Sequence, residues 1–210
     1  MTAPRLRRAT AILISGRGRN MTALIEAARA DDYPAEIVLV VSNMPDAPGL
    51  ERAEVAGIAK RIIDHRPFGK DRRGFEEAIE AELAEHGADL VCLAGFMRRL
   101  SPWFVARRKG RILNIHPSLL PRFKGLRTHE RALAEGAKLH GASVHFVTEG
   151  LDEGPVIAQT AVPVCACDTP ETLAARVLEI EGPLYVAALR FVAGGEARLA
   201  GKEVAFVSPG

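Results

Sequence analysis

Three stretches of the chain are almost continuously apolar and only six or seven residues long: Ala9–Ser15 (ATAILIS), Glu36–Val41 (EIVLVV) and Ala88–Ala94 (ADLVCLA). A strand with one wet face alternates apolar and polar residues. These runs do not alternate, so each must be covered on both faces, as in a parallel sheet between layers of helices. The intervening segments have the spacing that such a layering needs. Met21–Ala30 (MTALIEAARA), Leu50–Gly57 and Arg72–His86 read as helices, and Ile58–Ile63 reads as a short further strand. Strand, helix and strand in succession make right-handed crossovers of a parallel sheet. The expected fold is therefore α/β, a Rossmann-like, mostly parallel twisted sheet with helices on both faces.

After Gly95 the rhythm changes. Ser101-Pro102 opens a short helix in WFVARR, Ile112–Ile115 is a fifth strand, and Pro117–Gly125 is too broken by proline to be regular. Ala142–Val147 and Val156–Val164 read as longer strands joined by the Glu149–Pro155 loop, which implies an antiparallel strand in the C-terminal part. Pro170–Val192 is a long helix with Glu171 in its first turn, and Gly194–Val207 reads as a terminal hairpin. A length of 210 residues suits one domain, 1–210, with 48% hydrophobic residues to fill a core.

Net charge is +2 with both signs interspersed, so no basic stripe marks nucleic acid as a partner, although a phosphate could bind locally. The N-terminal MTAPRLRR is followed by an apolar stretch, Ala9–Ile14, too short for a signal sequence, and then by a glycine loop. It reads as a basic lead into the first strand of a cytoplasmic protein. No run approaches the ~20 apolar residues of a membrane helix. Cys92, Cys165 and Cys167 are an odd set that suits a reducing compartment. Cys165-Ala166-Cys167 has no second pair, and strand alternation would put both on one face, so no metal site is expected.

Four groups of residues carry chemistry. Gly16-Arg17-Gly18-Arg19-Asn20 joins a strand to a helix, where glycine permits a sharp turn and free N–H groups favour an anion. It lacks the third glycine of a dinucleotide loop and the lysine of a nucleotide-triphosphate loop, so it fits a phosphate monoester or an unoccupied turn. Asn114 and His116 lie two apart on an extended segment, share a face, and can both donate to one oxygen. Asp152 follows a strand and can hold an imidazolium or move a proton, with Glu153 a rival carboxylate and His145 facing either way. Phe96 and Met97 follow the fourth strand and suit either the core or the wall of a heterocycle pocket. Arg72 and Arg73, in a charged helix, are solvated by default.

Together these motifs resemble the phosphoribosylglycinamide formyltransferase family. The resemblance rests on ISGRGRN, Ser42-Asn43, LAGFMRRLSP, RILNIHPSLLPRFKGLRTH, HGASVHFVTEGLDEGPVI and ARVLEIEGPLY, which run in family order from Ala11 to about Phe191. It implies that 10-formyltetrahydrofolate donates a formyl group to the amine of phosphoribosylglycinamide by direct attack, with no metal. Asn114 and a protonated His116 would bind the oxyanion, while Asp152 would orient His116 and help carry the amine proton. Gly18, Arg19 and Asn20 would hold the nucleotide phosphate and Glu181 its ribose. Arg72, Phe96, Met97, Arg98, Leu100, Asn114, Glu149 and Asp152 would line the formyl folate site. The resemblance further divides the chain into a nucleotide-phosphate half (9–100), a catalytic and folate half (101–192) and the hairpin (193–210), in a monomer or homodimer.

One position departs from the family, whose loop reads G-x-G-S-N where this chain has Arg19. The backbone donor survives and a hydroxyl is lost, so the guanidinium is expected to supply a second phosphate contact. Related classes fit less well. The hydrolases of formyl folate carry an N-terminal regulatory domain and the transfer-RNA formyltransferases a C-terminal barrel, for neither of which this chain has room. An incomplete glycine fingerprint disfavours a nicotinamide oxidoreductase, and a mere nucleotide-binding module leaves Asn114, His116 and Asp152 without a joint purpose.

Overall fold

The computed structural model describes residues 7–207. The basic lead as far as Leu6 and the last three residues of the hairpin segment lie outside the described residues. Five strands run parallel: β1 (Arg8–Ile14), β2 (Ala35–Ser42), β3 (Lys60–Ile62), β4 (Leu90–Leu93) and β5 (Ile112–His116). β6 (Leu139–Phe146) is antiparallel to β5, and β7 (Val156–Pro163) is antiparallel to β6. The seven lie in the order β3-β2-β1-β4-β5-β6-β7, and β8 (Ala197–Ala200) pairs with β9 (Glu203–Phe206) in a separate hairpin. The α/β class, the mostly parallel sheet, the antiparallel strand and the terminal hairpin are all as the sequence implies.

Side-chain alternation divides the interior into two cores. Ile12 and Ile14 of β1 face one, with Leu90 and Cys92 of β4 and Leu113 and Ile115 of β5. That core is covered by α1 (Arg19–Ala27) and α6 (Pro170–Ala193). Ala11 and Leu13, Val91 and Leu93, and Ile112 face the other, beneath α3 (Arg72–Glu85) and α4 (Pro102–Arg107). Burial of each such Leu, Ile or Val is favourable by about 1.5–3 kcal/mol relative to exposure, which fixes the register of every strand. On β5 it leaves Asn114 and His116 on the α3–α4 side, beyond the end of those helices.

The long helix α6 starts where Thr169 and Thr172 cap one another, with Pro170 in the first turn. Pro183 lies inside it, and the turns on either side are held by packing. Gly182 sits where an added Cβ would come 3.2 Å from Cβ of Ala23 on α1. Tyr185, fully buried, donates its hydroxyl toward the carbonyl oxygens of Leu93 and Leu113 at 3.2 and 3.0 Å. Two local expectations need correction. Cys165 and Cys167 are exposed in a turn after β7, not on a strand, because Asp168 Oδ2 accepts from the Cys165 N–H at 2.7 Å and bends the chain there. Two helices of seven residues complete the set, α2 (Gly49–Val55) and α5 (Thr128–Ala134), and the second has no counterpart in the sequence reading.

Candidate active site

β2 and β4 flank β1, and the chain leaves β1 and β4 toward opposite sides, so their carboxyl ends open a crevice. The Gly16–Asn20 loop occupies one side of it. Gly18 has φ +64°, and a Cβ there would lie 2.9 Å from Met21 Cε. Gly49, at the start of α2, backs the loop and donates its N–H to the Gly16 carbonyl at 3.0 Å. A Cβ at Gly49 would lie 2.5 Å from Ile14 Cδ1. α1 begins at Arg19, so its free N–H groups point at a cavity of about 330 Å³ lined by Gly16, Arg17, Gly18, Arg19, Asn20 and Met97. Arg17 and Arg19 are both exposed, and among the described residues neither is ion-paired. Asn20 reaches across to α6 and donates from Nδ2 to Glu181 Oε2 at 2.7 Å. Burial raises the Glu181 carboxyl above its ordinary value, and the Asn20 amide opposes that only in part.

The second group lies at the end of β5. In the antiparallel register Asn114 faces His145 and His116 faces Ser143, so all four side chains share one face. His116 is buried, with Nε2 3.0 Å from the Phe123 carbonyl oxygen, which fixes a proton on that nitrogen. Its Nδ1 lies 3.4 Å from Asp152 Oδ2. Asp152 adopts a left-handed backbone, φ +51°, tolerated by aspartate and asparagine, and its Oδ2 accepts the Gly125 N–H at 2.9 Å. Two loops that the sequence leaves irregular are thereby pinned to one carboxylate. The Leu120–Pro121 bond between them is cis.

Asn114 Nδ2 lies 3.2 Å from His145 Nε2, which in turn is 3.7 Å from Asp152 Oδ1. His145 Nδ1 faces the Phe146 carbonyl oxygen at 2.9 Å, so Nε2 is the acceptor for the Asn114 amide. His145, open in the sequence, thus belongs to the site. Its side is set by Val144 and Phe146, which take the core, a register that one strand read alone does not reveal. The rival Glu153 points away and pairs with Lys124 Nζ at 3.0 Å.

Burial and neighbouring groups set the charge balance of the site. Burial is the largest influence on His116 and, with neighbouring cationic groups, holds its pKa below the ordinary value despite the Phe123 carbonyl and Asp152. Burial alone would raise Asp152, but His145, the Gly125 N–H and His116 outweigh it and keep the carboxylate ionised.

The third group surrounds the loop after β4. Leu100 and half-buried Phe96 pack on the smaller core, Met97 is exposed, and the Arg98 guanidinium lies 5.9 Å from the Phe75 ring centre. Arg72 bonds the Arg99 carbonyl oxygen, so it is not simply solvated. Arg73 stacks 3.6 Å over Trp103. Arg99, absent from the sequence expectation, donates from Nη2 to the Glu149 carbonyl oxygen at 2.9 Å and joins this loop to the Asp152 loop. Among the described residues Glu82, Glu85 and His86 could converge on a cation, but Glu82 is paired with Arg61 at 2.9 Å.

A donor pair, a half-buried carboxylate and a glycine loop at a helix N-terminus, set around the crevice of an α/β sheet, suit a group-transfer enzyme. Residues 8–189 match the formyl transferase family. The chain is 45% identical, over 90% of its length and 88% of the other, to the phosphoribosylglycinamide formyltransferase of Escherichia coli (strain K12). It superposes on the crystal structure of phosphoribosylglycinamide formyltransferase from Brucella melitensis with a TM-score of 0.85 and 54% identity, covering 90% of this chain and 97% of that one. It is also 51% identical over 88% of its length to the trifunctional purine biosynthetic protein adenosine-3 of Gallus gallus, of which it spans 18%. The chain belongs to the formyl transferases and, among them, to the phosphoribosylglycinamide formyltransferase family.

Proposed function

We propose that this chain transfers the formyl group of 10-formyltetrahydrofolate to the amine of phosphoribosylglycinamide in purine biosynthesis, in the cytoplasm. The observation that carries the reading is the convergence of Asn114, His116 and Asp152 on one face at the end of β5, in a chain of this family. No helix among the described residues is long and apolar enough to cross a membrane.

The nucleotide phosphate lies on the N–H groups of Gly18, Arg19 and Asn20, with the Arg19 guanidinium as an added contact, and Glu181 accepts from the ribose hydroxyls. The donor lies between Arg72, Phe96, Met97, Arg98 and Leu100 on one side and Glu149 to Asp152 on the other. Both halves of the chain thus build the folate side, since Arg72 and the Phe96–Leu100 loop precede residue 101.

The amine attacks the formyl carbon and a carbon–nitrogen bond forms as the carbonyl oxygen becomes an oxyanion. Asn114 donates to that oxygen, with its amide oriented by His145. His116, in its protonated form, sets positive charge beside the oxyanion, with Asp152 holding the imidazolium. The proton shed by the amine passes through Asp152 and water to N10 of the folate, the carbon–N10 bond breaks, and tetrahydrofolate leaves. No covalent formyl-enzyme is required. Purified protein should release tetrahydrofolate from the donor only when the ribonucleotide amine is present. Equal release without it would make the chain a hydrolase.

A further inference from the structure

The sequence places Ser42-Asn43 at the end of β2, and the reaction described above gives neither residue a task. The structure connects Asn43 to the site through Ser15. The β1–β4 ladder runs out where the Ser15 N–H donates to the Gly95 carbonyl at 3.2 Å. Two residues further on, a side chain takes over from the backbone. Met97 donates its N–H to Ser15 Oγ at 2.8 Å, and Ser15 Oγ lies 2.5 Å from Asn43 Oδ1. A main-chain N–H can only donate, so the Ser15 hydroxyl accepts from Met97, and with Asn43 Oδ1 turned toward it the hydroxyl donates its proton there. Asn43 is 2% exposed, and its main-chain carbonyl oxygen accepts from His65 Nδ1 at 3.0 Å, which fixes the residue in place.

What hangs on the relay is the near end of the Gly95–Leu100 loop. Its far end is anchored by Leu100 in the core and by Ser101, whose N–H donates to the buried Glu76 carboxylate at 2.6 Å. The near end has little burial of its own, since Gly95 and Met97 are exposed. Gly16, the first residue of the phosphate loop, follows Ser15 directly. One residue thus continues by its main chain into the phosphate side and holds the folate side by its hydroxyl.

We propose that Ser15, buttressed by Asn43, is a positioning residue that sets the formyl donor against the amine. It fixes the Met97 backbone relative to the phosphate loop. The inference rests on the functional reading above. The hydrogen bond holds the Met97 backbone, while the phosphate loop keeps its own tie through the Gly49 N–H to the Gly16 carbonyl. Its loss should therefore affect the two substrates unequally, whereas a merely structural role would affect both.

The test is steady-state kinetics with each substrate varied, for the wild type, Ser15→Ala, Asn43→Asp and Asn43→Leu. It is combined with calorimetric binding of a non-transferable 10-formyl folate analogue and of the ribonucleotide. Ser15→Ala should raise KM and Kd for the folate roughly five- to tenfold, the effect of one hydrogen bond, lower kcat, and leave the nucleotide constants unchanged. Asn43→Asp keeps the acceptor for Ser15 and should lie nearer the wild type than Asn43→Leu. Equal changes for both substrates, no change for the folate, or an aspartate variant as impaired as the leucine variant would overturn the proposal. A wild type that binds both ligands without transferring the formyl group would contradict the functional reading alone, because folate binding still reads the tether. A wild type that binds neither would sink both.

Discussion

Asn20 and Glu181 join α1 to α6 across the mouth of the phosphate loop, amide nitrogen to carboxylate oxygen at 2.7 Å. Among the described residues no cation pairs with Glu181, and burial raises its pKa. A diol supplies two donors to such a carboxylate, so Glu181→Gln should raise the nucleotide KM at least about tenfold, the size of a hydrogen bond to a charged acceptor. The folate KM should stay the same. Because the pKa is raised, nucleotide affinity should begin to fall on acidification at a higher pH than an ordinary glutamate would produce. The Gln variant should lack that limb when KM is measured against pH.

Asp152→Asn preserves shape, since asparagine tolerates φ +51° and its oxygen can still accept the Gly125 N–H. It removes the charge beside His116. The expected result is a kcat lower by about 10²–10⁴-fold, the range for a lost acid–base group, with both KM values little changed. Asn114→Ala should lower kcat by about 10²–10³-fold through loss of an oxyanion donor. Stopped-flow turnover with both substrates saturating separates these effects from binding.

Arg19→Ser introduces the hydroxyl that the resemblance implies for this loop and removes an exposed cation at the first turn of α1. Nucleotide binding should weaken several-fold at low ionic strength, and the two proteins should converge as salt screens the exposed charge. Titration calorimetry at low and high salt measures this. A Ser variant that binds as tightly as the wild type in low salt would exclude the guanidinium contact.

His140 is fully buried, and burial, together with the neighbouring His129 and His116, lowers its pKa to about 4. Below its ordinary value of 6.5 the unfolded chain therefore takes up a proton that the folded chain refuses. The contribution of this neutral ring to stability is complete above about pH 6.5, declines as pH falls toward about 4, and is then constant. The expected loss is roughly 3 kcal/mol. Urea unfolding across that window should show it, and His140→Leu should remove most of the slope.

The parallel half of the sheet was legible because β1, β2 and β4 are buried on both faces, and their unbroken apolar runs of four or five residues are too short for a buried helix. Asn114 and His116 were legible because Leu113 and Ile115 fix which face they share. α5 was not, because its seven residues carry only two buried positions, Thr128 and Ala132, and make no stripe. His145 and Arg99 were not, for a different reason. The role of the first depends on its register with β5, and that of the second on a contact between loops 50 residues apart. Neither quantity is written in local sequence. The lowered pKa of His116 is also a tertiary fact, since burial outweighs the carboxylate beside it.

The most direct measurement follows a labelled formyl carbon from 10-formyltetrahydrofolate in a single turnover with excess protein and phosphoribosylglycinamide. Direct transfer requires the label to appear in the ribonucleotide at the rate at which tetrahydrofolate forms, with none on the protein, and Asp152→Asn should slow both together. Label recovered as free formate, or held covalently by the protein, would contradict the account.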